Sequence, residues 1–93
     1  MYGSYKLKVH NGKLVSVKII YSERIESVQI LGDFFMYPEE AIEVIEKSLI
    51  GLGRNSDRTS IADGIKKISE ENRITMVGID PDSMAEAIFM AMK

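Results

Sequence analysis

Few residues of this 93-residue chain have the type and spacing that chemistry requires. His10 is its one histidine, and the absence of cysteine excludes thiolate nucleophiles, disulfides and cysteine metal sites. His10 ends an alternating segment with no carboxylate at ligand spacing, which reads as a solvent-facing strand residue rather than a metal ligand or general base. Asp80 and Asp82 are spaced like a metal-binding pair. Asp80-Pro81 is better explained as a helix cap followed by a first-turn proline, with Asp82 a charge placed at the positive helix end. Gly51-Leu52-Gly53-Arg54 carries glycines suited to cradling a phosphate but lacks the strand-loop-helix context and the lysine of a P-loop, so it reads as a helix stop with a solvated arginine. With no nucleophile paired to a base and no metal set, the residues themselves describe a binding or accessory module.

The distinctive residues are apolar. In "ILGDFFMYPEEAI", Ile30 to Ile42, two phenylalanines follow Gly32-Asp33 in what reads as the connection between a strand and a helix. Loops are ordinarily polar, so Phe34 and Phe35 either tuck under the following helix and close the domain's own core or meet another molecule. A second unusual stretch is the closing helix, where Met84, Ala85, Ala87, Ile88, Phe89, Met90, Ala91 and Met92 leave Glu86 as the one charge before Lys93. A helix apolar all round is expected to be buried on all sides. Either it is a tightly packed core helix, or Phe89 and Met90, on the side away from Met84, Ile88 and Met92, contact a partner through adaptable side chains.

Three strands must position the first of these stretches. Tyr5, Leu7 and Val9 alternate with Lys6, Lys8 and His10, and Val15, Val17, Ile19 and Tyr21 alternate with Ser16, Lys18 and Ile20, a period of two that gives each strand one buried face. Asn11-Gly12 supplies a two-residue hairpin turn, Ser22-Glu23-Arg24 a second tight connection, and Ile25 to Leu31 a third strand with Val28 and Ile30 on one face. Helices follow. Pro38 suits a first helical position, Glu39 and Glu40 complement the helix dipole, and Ile42, Ile45 and Leu49 recur at helical spacing until Gly51 and Gly53. Thr59 or Ser60 caps a second helix striped by Ile61, Ile65 and Ile68, in which Gly64 permits close packing. "ITMVGI" reads as either a short extended segment or a loop, and Asp80-Pro81 opens the last helix. The expected fold is α+β: a small antiparallel three-stranded sheet with about three helices packed on one face, forming a single domain over residues 1 to 93.

Composition bounds the function. A hydrophobic share of 45% supports one modest core, and a net charge of -2 gives no global attraction to nucleic acid or anionic membrane. No apolar run approaches a membrane span and the N-terminus has no apolar signal-peptide core, so the expected compartment is the cytoplasm. The charge is unevenly spread. Lys6, Lys8, Lys13, Lys18 and Arg24 outnumber Glu23 and Glu26 in the strand half, whereas Asp33, Glu39, Glu40, Glu43 and Glu46 oppose only Lys47 in the stretch that follows. This reads either as a solvated surface or as a basic edge toward a phosphate-containing ligand or acidic partner.

The stretch from Gly12 to Leu52 closely resembles the C-terminal accessory domain of lipoate-protein ligases. In that family a Lys-x-x-x-Gly-Lys-Leu element opens a hairpin, its second strand ends in Gly-Asp-Phe-Phe, and a Pro-started acidic helix ends in Leu-x-Gly. The matching residues are Lys8, Gly12, Lys13 and Leu14; Gly32, Asp33, Phe34 and Phe35; and Pro38, Leu49 and Gly51. The closing "VGIDPDSMAEAIFMAMK" is similar to the family's ending. The catalytic domain is missing, which resembles the small subunit of a split, archaeal-type ligase.

The resemblance implies a heterodimer with a large catalytic subunit that carries the adenylating lysine, uses ATP, Mg and lipoate to form lipoyl-AMP, and transfers lipoyl to a lysine of lipoyl-acceptor domains. This chain is then expected to bind no cofactor alone and to be needed mainly for the adenylation step. Gly32, Asp33, Phe34 and Phe35 with Phe89 and Met90 are the expected surfaces for partner binding or active-site closure, and Lys8 and Lys13 a positive edge near the nucleotide. The alternative is a free-standing regulatory module that homo-oligomerises through a sheet edge or the last helix, with no ligase partner.

Overall fold

The computed structural model of the chain describes residues 1–9 and 13–93. The expected Asn11-Gly12 turn and His10 lie outside them. Three strands, β1 (Tyr2–Lys8), β2 (Leu14–Tyr21) and β3 (Ile25–Gly32), form an antiparallel sheet in sequence order. Leu7 opposes Val15, which in turn opposes Gly32. Period-two alternation sends Val15, Val17, Ile19 and Tyr21 to one face, where all four are buried. The third strand departs from simple alternation. Ile20 opposes Ser27 while Tyr21 opposes Ile25, so Glu26 is the extra residue of a bulge. That bulge returns Ile25 to the buried face with Val28 and Ile30 despite a spacing of three.

The helices pack against this face. The first, α1 (Ala41–Leu49), lies on β3; the last, α3 (Pro81–Ala91), lies on β1 and β2; and α2 (Arg58–Glu71) packs on α3 and α1. The expected α+β arrangement is therefore present. Ala41, Ile45 and Leu49 form the buried stripe of α1, and full burial of an Ile or Leu side chain stabilises by about 2 kcal/mol. Met84, Ala85, Ala87, Ile88 and Ala91 are buried on α3, whose small residues let it sit close to the sheet. At Gly3 a Cβ would collide with the Ala91 carbonyl, so only a glycine there lets the end of α3 settle on β1.

Several expected boundaries shift. Pro38 does not begin α1: Tyr37 ends a short strand, β4 (Phe35–Tyr37), as the extended preference of a pre-proline residue favours. The Pro38 carbonyl then accepts from Ala41 N at 3.0 Å as the helix starts. The cap of α2 is neither Thr59 nor Ser60 but Asp57, whose carboxylate accepts from Ser60 N at 2.7 Å. Gly64 does not serve close packing, because a Cβ there would meet nothing within 4 Å; it borders an open cleft between α1 and α2 lined also by Leu49, Leu52, Ile61 and Ile68. Asp80 does cap α3, accepting from Ser83 N at 2.7 Å with Pro81 in the first turn.

The ambiguous "ITMVGI" contains a strand, β5 (Thr75–Val77), which pairs antiparallel with β4 in a separate two-stranded ribbon. Gly51, at φ 92°, turns the chain out of α1. The segment it begins lies along β3: Ile25 N donates to Leu52 O and Gly51 N to Ile25 O, both at 2.8 Å, and Arg24 bridges Gly53. The Gly51-Leu52-Gly53-Arg54 segment is thus a cover for the start of the sheet edge, with the Gly51, Leu52 and Arg54 amides donating within the fold. Its arginine is not simply solvated, since the Arg54 guanidinium stands 5.2 Å from the Tyr21 ring centroid.

Candidate functional site

The residues around Gly32 are drawn together by the ends of β1, β2, β3 and the ribbon. Asp33 N donates to the Leu14 carbonyl at 3.0 Å, continuing the β2–β3 ladder by one residue. A Cβ on Gly32 would collide with that carbonyl and come within 2.7 Å of the Phe34 ring, so the missing side chain is what lets Phe34 fold back over the strand end. Phe34 is 8% exposed and belongs to the core, whereas Phe35 is 64% exposed. The two readings of the pair are therefore divided between its members: Phe34 closes the domain's own core, and Phe35 faces outward.

Phe35 does not stand alone. Strand alternation in the ribbon turns Phe35 and Tyr37 outward and Met36 inward, and the partner strand does the same with Thr75 and Val77 outward and Met76 half-buried. Phe35 is paired across the ribbon with Val77, and Tyr37 with Thr75. With Tyr37 at 59% and Val77 at 50% exposure, the ribbon presents a compact apolar face. Tyr37 and Val77 were not among the residues that sequence reasoning selected. The signal was present: Phe35-Met36-Tyr37 before a proline and Thr75-Met76-Val77 before a glycine are two short runs with outward positions at i and i+2.

The positive candidates divide as well. Lys13 lies beside this site, its side chain close to Gly78, which also approaches the Asp33 carbonyl and Phe34. Lys8 is exposed at the end of β1 and borders a separate groove of about 630 Å³ between that strand and the starts of α2 and α3, with Leu7, Val9, Arg58, Asp82 and Glu86. In that groove Arg58 Nε is 2.6 Å from Glu86 Oε1.

Phe89 and Met90 do not join the Gly32 site. Gly3, beside Ala91 at the end of α3, and Leu7, in register with Val15 and through it with Gly32, lie at opposite ends of β1. Phe89 and Met90 belong to the Gly3 end. Both are half-buried and neither is bare: the Arg58 guanidinium lies 4.7 Å from the Phe89 ring centroid and 3.8 Å from Met90 Sδ. The apolar surround of α3 is thus mostly explained by core packing, with its one half-exposed flank covered by an arginine.

Among the described residues no polar or charged residue is buried, and no group of three or more His, Asp or Glu side chains could hold a metal ion. The Asp57 carboxyl is held below its ordinary value by the Ser60 backbone N–H and secondarily by the Ser60 hydroxyl, the effect of a helix cap. No helix among the described residues is long and apolar enough to cross a membrane.

Comparison with known proteins adds to this geometry. No family model matches the chain. Lipoate-protein ligase A subunit 2 of Thermoplasma acidophilum is 35% identical over 65 residues, which are 70% of this chain and 64% of that protein. A chain from the structural analysis of an archaeal lipoylation system, a bi-partite lipoate protein ligase and its E2 lipoyl domain from Thermoplasma acidophilum, superposes with a TM-score of 0.77 and 28% identity, covering 95% of this chain and 94% of that one. The chain is thus similar in sequence to a lipoate-protein ligase subunit and in fold to a chain of a bi-partite lipoate protein ligase system. The sequence match spans just under two thirds of the subunit's length, and the fold match spans nearly the whole chain. In this fold the Gly-Asp-Phe-Phe segment connects the three-stranded sheet to the ribbon, with Phe34 buried in the core and Phe35 on the ribbon's outer face.

Proposed function

We propose that this chain is the non-catalytic accessory subunit of a two-subunit, cytoplasmic lipoate-protein ligase. It is required for ATP-dependent activation of lipoate to lipoyl-AMP by a large catalytic subunit, before lipoyl transfer to a lysine of an acceptor domain. The observation that carries this reading is the joint match of sequence and fold to a small ligase subunit. In this reading ATP, magnesium and lipoate are handled by the partner.

The physical case lies in what an acyl-adenylate needs. A mixed anhydride is lost if water reaches it, and forming it requires phosphate charge to be stabilised in a site closed at the right moment. A small domain docked beside such a site orders its loops and excludes water without supplying a reacting group. The outer ribbon face of Phe35, Tyr37 and Val77 is the docking surface in this account, since large exposed apolar side chains set together mark interaction sites. Lys13, beside it, supplies positive charge toward the nucleotide. Titrating a candidate catalytic chain with this protein tests the reading. The wild type is expected to bind, and Phe35→Ala with Tyr37→Ala is expected to bind at least about tenfold more weakly while remaining folded. Equal affinity of the two proteins would remove the ribbon as the docking surface.

A further inference from the structure

The two edges of the three-stranded sheet are treated differently. The β3 edge is covered at its start and near its end: Leu52 and Gly51 bond Ile25, Arg24 bridges Gly53, and Glu46 Oε2 of α1 accepts from Ile30 N at 2.8 Å. The β1 edge has no such cover. Tyr21 N donates to Met1 O and Val9 N to Lys13 O, which makes the odd residues of β1 the ones hydrogen-bonded to β2. By the alternation of an antiparallel ladder, the N–H and C=O groups of Tyr2, Ser4, Lys6 and Lys8 point away from the sheet. Among the described residues no backbone hydrogen bond reaches them. An uncovered edge of this length is a template for another strand.

The side chains of the same four residues are exposed on the sheet's outer face. Lys6 is paired across β2 with Ser16 and Lys8 with Leu14, while Lys18 stands opposite Ser4. None of these lysines takes part in the ion pairs found among the described residues. The edge therefore offers an unpaired backbone and a row of cations two residues apart. Lysines placed this way oppose pairing with a second copy, which would bring Lys6 of each chain onto neighbouring positions of one face, and they favour a strand that carries carboxylates.

We infer that β1 accepts an extended segment of the catalytic partner as a fourth strand, with acidic side chains spaced by one residue set beside Lys6 and Lys8. This inference rests on the accessory-subunit reading and names a second contact, distinct from the ribbon. A segment running past Lys8 reaches the groove floored by Leu7, Val9 and Ala62, which gives it an apolar anchorage beyond the ladder. Main-chain hydrogen bonds would supply affinity and the carboxylates would set the register.

The test is amide hydrogen exchange on the isotopically labelled small chain, alone and with the unlabelled catalytic chain, together with binding by Ser4→Pro and Lys6→Glu variants. Proline at position 4 removes an outward N–H that β2 does not use. The inference expects the amides of Tyr2, Ser4, Lys6 and Lys8 to slow in the complex and each variant to bind about tenfold more weakly. If Ser4→Pro does not fold, the wild-type exchange pattern and Lys6→Glu decide. A complex that forms while these four amides exchange at their free rate overturns the fourth strand and leaves the accessory reading standing. Absence of any complex overturns both. Slowing that grows with the small chain's own concentration, without the partner, replaces the partner segment with a second copy and overturns the inference.

Discussion

Phe34, in the connection before β4, turns into the core, while Phe35, the first residue of β4, faces outward. Their substitution should separate two properties. Phe34→Ala is expected to lower stability by about 3 kcal/mol through loss of a buried aromatic, whereas Phe35→Ala should change it by less than about 0.5 kcal/mol; chemical denaturation measures both. Asp57 gives a pH-dependent counterpart. Its folded carboxyl lies below the ordinary aspartate value, so the charged cap contributes fully above that ordinary value and the contribution is lost as pH falls through the lowered one. The Tm advantage of wild type over Asp57→Ala is expected to shrink across that acid range, as thermal melts at stepped pH would record. At this scale the sequence disclosed which residues were unusual but not where each pointed. Two apolar neighbours after a glycine are compatible with a loop, a turn or a strand start, and only the pairing of β4 with β5 decides among them.

Elements were more legible than their ends. The alternation of Val15, Val17, Ile19 and Tyr21 and the helical spacing of Ile61, Ile65 and Ile68 report which face is buried, and the structure agrees. Pro38 misled because a proline serves equally at the start of a helix and just after a strand, and three residues with one proline carry too little pattern to declare a strand. Thr59 and Ser60 were plausible caps by residue type, yet Asp57 holds the better position three residues before the Ser60 amide. Gly64 lies in the interior of α2 with no neighbour that needs its small size. Gly64→Ala is therefore expected to raise stability by about 0.5–1 kcal/mol, measurable as a higher Tm. Asp80→Ala should act the other way, by about 1 kcal/mol, through loss of the α3 cap.

Across the whole molecule, the charge asymmetry of the sequence becomes a division of surfaces. Lys6, Lys8 and Lys18 lie on the outer sheet face, opposite the helices, while Glu46 of the acidic α1 is turned onto the β3 backbone. The sequence disclosed that imbalance and a family likeness reaching from the first hairpin to the last helix, and the matched fold agrees with it. What it did not disclose is that the candidate contacts fall at separate places, the ribbon face at one end of β1 and the arginine-covered Phe89 at the other. Long-range register, which residue spacing does not encode, sets that separation. In the proposed role the chain acts by changing its catalytic partner. The direct measurement is lipoate-dependent pyrophosphate release from ATP by the candidate catalytic chain, with and without an equimolar amount of this protein. The account predicts release only when both chains are present; equal release by the catalytic chain alone would contradict it.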